Sequence, residues 1–266
     1  MIKRIGMLTS GGDCQALNAT MRGVVKGLTN NVDELEVYGF DDGYKGLIYG
    51  KYRMLTSKDF SGILTQGGTI LGTTNRDNPF KFAVEENGEL VYYDKRAEVL
   101  ANLEKHGIEA LVVIGGDGSL NIAARLAKEC GIKVVGVPKT IDNDLPCTER
   151  TFGFDTAMAM ATEALDRIHT TAESHHRVMA LEVMGRYAGW IALHSGIAGG
   201  ADVILIPEIP YSINSVIGKI RARQAAGKQF SIIVVAEGAR PVGGEMSIAR
   251  MVKGSFEPIR LGGAGE

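Results

Sequence analysis

The sequence predicts an α/β protein of two lobes, with mostly parallel sheets flanked by helices. Two observations carry this expectation. Short β-rich apolar runs alternate with longer stretches of helical periodicity, the mark of βαβ units, and glycine-rich turns follow the strands at the edge where open α/β sheets bind ligands.

In chain order, Ile2 to Leu8 reads as a buried strand, Gln15 to Leu28 as a helix, and Leu35 to Phe40 as the next strand. The pattern returns with a strand at Ala110 to Ile114, the turn Gly115-Gly116-Asp117-Gly118, and a helix through Ala127 that Ser119 is placed to cap. A strand at Ile132 to Val137 follows. From Asp155 to Thr171 the apolar Met158, Ala161, Leu165 and Ile168 share one helical face. Further on come a strand at Val178 to Met184, a helix from Tyr187 to Ile197, a strand at Val203 to Ile206, a helix from Ile213 to Ala226 and a strand at Ser231 to Ala236. A loop at Arg240 to Gly244 precedes one more expected helix. The polar stretch Asp142 to Arg150 places the boundary near residue 150, giving lobes 1–150 and 151–266. The glycine-rich run ending at Glu266 reads as a frayed tail or a cut chain.

The 266 residues suffice for a large core. With 45% hydrophobic and 23% charged residues and a net charge of -2, the composition is that of a soluble globular protein with no bias toward nucleic acid or membrane. Three scattered cysteines, Cys14, Cys130 and Cys147, build neither a disulfide framework nor a zinc site and suit a reducing cytoplasm. No apolar run approaches the roughly 18 residues of a transmembrane helix.

Thr9-Ser10-Gly11-Gly12-Asp13 lets the backbone come close to a ligand ahead of a helix N-terminus, which suits phosphate oxygens; the alternative is a plain strand-to-helix turn. Gly115-Gly116-Asp117-Gly118-Ser119 adds a carboxylate able to hold Mg²⁺ directly or through water, or to serve only as a turn residue. In Pro138-Lys139-Thr140-Ile141-Asp142-Asn143-Asp144, two carboxylates two apart on an extended segment point the same way. One can act as a base and the other support a metal, or the stretch can be a polar loop. Adjacent His175 and His176 would face opposite sides of a strand, so neither is expected to bind metal. Trp190, Met158 and Met160 read as packing residues.

These motifs, with Glu182-Val183-Met184-Gly185-Arg186, stand in the order and spacing of the 6-phosphofructokinases, and the chain resembles that family over essentially its whole length. The resemblance implies transfer of a phosphoryl group from ATP to the C1 hydroxyl of fructose 6-phosphate, with Mg²⁺. It places Gly12, Gly116, Gly118 and Ser119 around the nucleotide phosphates, Tyr44 and Asp77 near the nucleotide, and Asp117 on the metal. Asp142 becomes the catalytic base and Arg76 the transition-state arginine. Thr140, Ile141, Asp142, Met184, Gly185, Arg186 and Glu237 fall to the sugar phosphate, with Arg177 reaching a neighbouring subunit of a homo-oligomer, a tetramer or dimer.

Two positions bear on the donor and point in opposite directions. Gly118 is the residue of ATP-using members, whereas pyrophosphate users carry an aspartate there. Lys139 matches the pyrophosphate-type pattern, but a lysine neutralises phosphate without excluding a nucleotide, so ATP is the expected donor. The resemblance also implies that a closing Gln-Arg-Gly-Gly-Ser-Pro element is missing and the sugar site incomplete. A lipid or NAD kinase would share the Gly-Gly-Asp-Gly turn but not the other motifs. A noncatalytic nucleotide-sensing subunit is the alternative from another class. Arg22 and Lys26 on the first helix read as a solvated face.

Overall fold

The computed structural model describes residues 3–251 and 259–265. The chain divides into two compact units, one running through Thr140 and one starting at Ile141. The division precedes the polar stretch Asp142 to Arg150, whereas the boundary was expected at its end, near residue 150.

The first unit contains β1 (Arg4–Ser10), α1 (Leu17–Thr29), β2 (Glu36–Phe40), α2 (Tyr44–Tyr49), β3 (Tyr52–Leu55), β4 (Phe82–Glu86), β5 (Glu89–Tyr93), α3 (Arg96–Lys105), β6 (Ala110–Gly115), α4 (Asp117–Cys130) and β7 (Val134–Thr140). Its sheet runs in the order β3-β2-β1-β6-β7. All neighbours are parallel except the antiparallel β2–β3 pair. Strand side chains alternate between faces, so β1 sends Met7 to one apolar layer and Leu8 to the other. β6 does the same, with Val112 and Ile114 on one side and Leu111 and Val113 on the opposite side. One layer is closed by α2, α3 and α4 and the other by α1 with the loop after β3, which is why these strands read as unbroken apolar runs. In α1 the buried Leu17, Met21 and Val25 recur every four residues and fill one of these layers. Each such side chain stabilises the fold by about 1.5–3 kcal/mol. Gly6 is required for close packing, since a Cβ there would sit 2.5 Å from Leu111 Cδ2 and 2.8 Å from Phe40 Cε2.

Several elements carried no expectation. The β4–β5 hairpin turns at Asn87 and Gly88, both with positive φ (53° and 83°), the conformation that an Asn-Gly pair favours. The helix after β6 begins at Asp117 with Gly116 as its N-cap and continues to Cys130, so Ser119 lies inside its first turn and is not the cap. Arg22 on α1 is half-buried, its guanidinium donating to the Phe60 carbonyl, rather than simply solvated.

The second unit contains β8 (Phe152–Gly153), α5 (Phe154–His175), β9 (Val178–Val183), α6 (Trp190–Ala198), β10 (Val203–Leu205), α7 (Ile213–Ala225), β11 (Ser231–Ala236), β12 (Ile248–Met251) and β13 (Ile259–Leu261). The parallel sheet β10-β11-β9 packs Ile232, Val234 and Ala236 against Leu165 and Ala172 of α5 and Ala192 of α6. Where a further helix was expected, Ile248–Met251 instead pairs antiparallel with Ile259–Leu261. Residues 252–258 of that expected helix, like Ile2 and Glu266, lie outside the described residues.

His175 ends α5 and His176 is its left-handed C-cap at φ 52°, so the pair does not lie on a strand. Met160 and Trp190 are 60% and 41% exposed, and the Trp190 ring packs against His194 with centroids 5.9 Å apart. No helix among the described residues is long and apolar enough to cross a membrane.

One ion pair ties this unit together. Arg223 Nη1 lies 2.7 Å from Asp202 Oδ1, with the side chains only 21% and 13% exposed. Asp202 Oδ2 accepts from the Ile232 amide at 2.9 Å, while Arg223 donates to Ser231 Oγ and the Phe230 carbonyl. The pair thus joins α7 to the start of β11 and to the residue that leads into β10. Replacing Arg223 with Ala leaves Asp202 without its ionic partner. The expected cost is about 1–3 kcal/mol, read as a lower urea midpoint at unchanged m-value.

Candidate functional site

In the first unit the parallel register aligns Ser10 of β1 with Gly115 of β6, and Gly115 with Pro138 of β7. The chain leaves all these strands at one edge, and it does so where β1 and β6 lie side by side while their successors, β2 and β7, lie on opposite sides of the pair. Such a reversal of strand order opens a crevice at the carboxyl ends of the strands.

Each turn at this edge is anchored from below. Gly11 has φ 91°, a conformation glycine adopts without steric cost. Its amide donates to the Thr74 carbonyl at 2.9 Å and its carbonyl accepts from Thr73 Oγ1 at 2.7 Å. The Gly12 carbonyl accepts from Lys139 Nζ at 2.6 Å, and Lys139 is only 5% exposed. A Cβ at Gly12 would meet nothing within 4 Å, so this backbone lies open. With both carbonyls and the Gly11 amide engaged inward, the turn's outer face is left to the amides that follow Gly11, which is the polarity an anionic ligand needs.

On the neighbouring turn, Gly116 caps α4 in an extended conformation (φ -83°, ψ -168°), and Asp117 and Gly118 are exposed on the first turn. The Leu120 amide is the first to return to the Gly116 carbonyl, at 2.9 Å, so the preceding amides lack an intrahelical acceptor. They are available to phosphate oxygens, assisted by the positive end of the helix dipole. Ser119 is buried and donates to Ser10 Oγ at 2.9 Å. It therefore joins the two turns, and its hydroxyl is not presented to solvent.

Tyr44 also differs from expectation. Only 1% exposed, it has no ring surface open to a nucleotide, and its hydroxyl donates to the Ser119 carbonyl at 2.7 Å. Burial pushes its pKa well above the ordinary tyrosine value, so it stays a neutral donor. It acts by holding the α4 turn from beneath.

The segment from Gly72 to Asp77 joins the same edge through the Thr73 and Thr74 bonds to Gly11. Within it Thr74 Oγ1 bonds the Asp77 carboxylate, and Arg76 is exposed. The first unit thus gathers Gly12, Arg76, Asp77, Gly116, Asp117, Gly118, Ser119, Lys139 and Thr140, the last residue of β7.

In the second unit, Val183 of β9 and Ala236 of β11 are in register, so Met184-Gly185-Arg186 and Glu237-Gly238 emerge side by side. The Glu237 amide donates to the Val183 carbonyl at 2.8 Å and the Gly238 amide to the Gly185 carbonyl at 3.1 Å. Arg186 lies over the Tyr187 ring at 5.8 Å and lines a cavity of about 230 Å³ together with Arg240 and Glu245. Arg177 precedes β9 at the opposite end of this strand. The six residues of β9 stand between it and Met184, a span of roughly 23 Å at about 3.3 Å per step.

Ile141 and Asp142 lie in the loop leading to β8, and Asp142 Oδ1 is shut off from solvent. The extended reading of this loop does not hold. Asn143 has φ 53°, which breaks the two-residue alternation and leaves Asp144 exposed while Asp142 is half-buried. Asn143, given no role from sequence, staples the loop: its Oδ1 accepts from the Thr151 amide at 2.9 Å and its Nδ2 donates to the Glu149 carbonyl at 3.3 Å. Glu182 was also missed. Its carboxylate accepts from the Gly263 and Gly265 amides at 3.1 and 2.8 Å, gathering the glycine-rich segment onto β9. Its place beside Val183 in a quoted motif was the available signal.

Comparison with known proteins adds an independent observation. The family described as Phosphofructokinase matches residues 4–259. The chain is 56% identical over 263 residues to ATP-dependent 6-phosphofructokinase 2 of Clostridium perfringens, covering 98% of this chain and 71% of that one. It is 52% identical to the pyrophosphate–fructose 6-phosphate 1-phosphotransferase of Amycolatopsis mediterranei, covering 98% and 73%. Among solved structures, Pichia pastoris phosphofructokinase in the T-state superposes with a TM-score of 0.78 at 34% identity, covering 91% of this chain and 28% of that one.

The pairing of Gly238 with Gly185 generates a test of the second unit's edge. A Cβ at Gly238 would lie 1.9 Å from the Arg186 carbonyl oxygen, and backbone cannot swing aside as a side chain can. Gly238→Ala is expected to cost about 1–3 kcal/mol and to accelerate amide exchange at Gly185 and Arg186, measured by NMR or mass spectrometry.

Proposed function

The chain belongs to the phosphofructokinase family, and from that premise we propose that it transfers the terminal phosphoryl group of ATP to the C1 hydroxyl of fructose 6-phosphate, giving ADP and fructose 1,6-bisphosphate in glycolysis. The observation that carries this reading is the carboxyl edge of the first unit, where the open Gly12 backbone and the exposed first turn of α4 face outward from adjoining strands.

The chemistry assigned to these residues is mostly positioning and charge neutralisation. Asp142 takes the C1 hydroxyl proton as O1 bonds to the γ-phosphorus, and the bond from that phosphorus to the β–γ bridging oxygen breaks, releasing ADP. Arg76 screens the charge spread over the transferring oxygens. Arg186 and Glu237 orient the sugar phosphate, the arginine through its planar fork and the glutamate by accepting from sugar hydroxyls. Arg177, distant from Met184 within its own unit, serves a second copy in a homo-oligomer.

The donor set at α4 fits Mg²⁺. Asp117 offers one exposed carboxylate, and no group of three or more acidic, histidine or cysteine side chains is assembled among the described residues. Mg²⁺ is commonly held by one or two carboxylates plus substrate phosphates and water. When bound there, the ion neutralises charge on the phosphate oxygens.

ATP is the donor this reading favours. Gly118 adds no side chain to the exposed α4 turn, and Lys139 places its ammonium on the Gly12 carbonyl, screening phosphate charge from beneath the loop. Pyrophosphate is the second reading, favoured by the Lys139 pattern and by the donor named for the Amycolatopsis relative. A cytoplasmic site of action suits a glycolytic role.

A coupled assay for fructose 1,6-bisphosphate with each donor tests the proposal, and product with neither refutes it. Gly118→Asp is expected to lower kcat/KM for ATP by about tenfold or more while sparing pyrophosphate; equal losses with both donors would remove Gly118 as the discriminator. For the base, Asp142→Asn should keep substrate binding and lose about 10²–10⁴-fold in kcat. An undiminished kcat dismisses that role.

A further inference from the structure

Between Leu55 and Phe82 the chain forms neither helix nor strand, so the placement of Arg76 depends on bonds that side chains make to this long loop. A fully buried one comes from Asn18 on α1, which is 0% exposed. Its Nδ2 donates to the Gln66 and Gly67 carbonyls at 3.0 and 3.2 Å, and its Oδ1 accepts from the Ile70 amide at 2.8 Å. An amide side chain offers two donors and an acceptor on one small planar group, and here all are used.

The bonds continue from this anchor to the glycine turn. The Leu71 amide donates to Thr69 Oγ1 at 3.2 Å, Thr69 Oγ1 lies 2.9 Å from Thr9 Oγ1, and Thr9 Oγ1 donates to the Gly72 carbonyl at 2.8 Å. Thr73 and Thr74 then bond Gly11, the latter two residues before Arg76. We infer that Asn18 is a positioning residue for phosphoryl transfer, holding the Gln66–Ile70 backbone so that the following residues set Arg76 beside the Gly11–Gly12 turn. This rests on the reading of Arg76 as the cation facing the transferred phosphoryl group.

The experiment compares Asn18→Ala, Arg76→Ala and the double variant in the full chain, using amide exchange and phosphoryl-transfer kinetics. Asn18→Ala should speed exchange at Ile70 to Asn75 by about tenfold or more while β6 keeps its rate; a general loss of stability would accelerate both. It should also lower kcat more than it raises KM. The double variant should lose no more than Arg76→Ala alone, because the two act as one unit.

Unchanged loop exchange in Asn18→Ala, or losses that multiply in the double variant, would overturn the inference. If Arg76→Ala alone leaves kcat intact, the assigned role of Arg76 fails, and loop exchange still decides whether Asn18 holds the segment. Should Asn18→Ala not fold, Thr69→Val, at a half-buried point of the same bond chain, carries the same comparison.

Discussion

The backbone of Gly11 and Gly12 is the constraint on which the first unit depends. A turn that presents amides to an anion must dispose of its carbonyls elsewhere, and here they are taken by Thr73 Oγ1 and Lys139 Nζ. Those donors come from far along the chain. The first sits on the loop that carries Arg76, and the second on β7, on the far side of β6 from β1. The same bonds that orient the turn therefore draw the catalytic candidates of the unit to one edge. Lys139 also meets a need of its own, since a buried ammonium requires acceptors to offset its lost hydration.

The remaining architecture supplies rigidity to that edge. Parallel strands with both faces covered give a register that cannot slip without exchanging two apolar layers. The second glycine turn inherits that register through the Ser10–Gly115 pairing and is held by Tyr44 and Ser119. A Cβ at Gly115 would approach Ser119 Cβ to 2.5 Å, so the closeness that lets Ser119 join the turns also dictates glycine there. The second unit repeats the device with its own parallel strands, placing Met184 to Arg186 beside Glu237.

Much of this was legible. The strands β1, β6 and β11 and the helices α1, α5 and α7 follow from apolar periodicity, because burial on one or both faces writes itself directly into residue type. The glycine turns were legible for a related reason, since few residues tolerate close backbone approach. Other features were not. Ser119 has the composition of a cap, yet Gly116 holds that place because the tertiary need for a hydroxyl between the two turns outweighs capping propensity. Alternation predicted that Asp142 and Asp144 point together, and the left-handed Asn143 between them removes the alternation. Tyr44 matched a family position, but only packing shows that its ring is enclosed.

The sequence by itself determined the α/β class, the chain order of most elements, the glycine turns that follow the strands and the family to which the chain belongs, since these depend on local residue type and spacing. Tertiary structure alone decided which distant groups meet. Asn18 with Ile70, Lys139 with Gly12, Glu182 with Gly265 and Arg223 with Asp202 are partners far apart in the chain. Hydrogen bonds and ion pairs of this kind leave no periodic trace, because one polar residue satisfies them from any position that folding brings within about 3 Å.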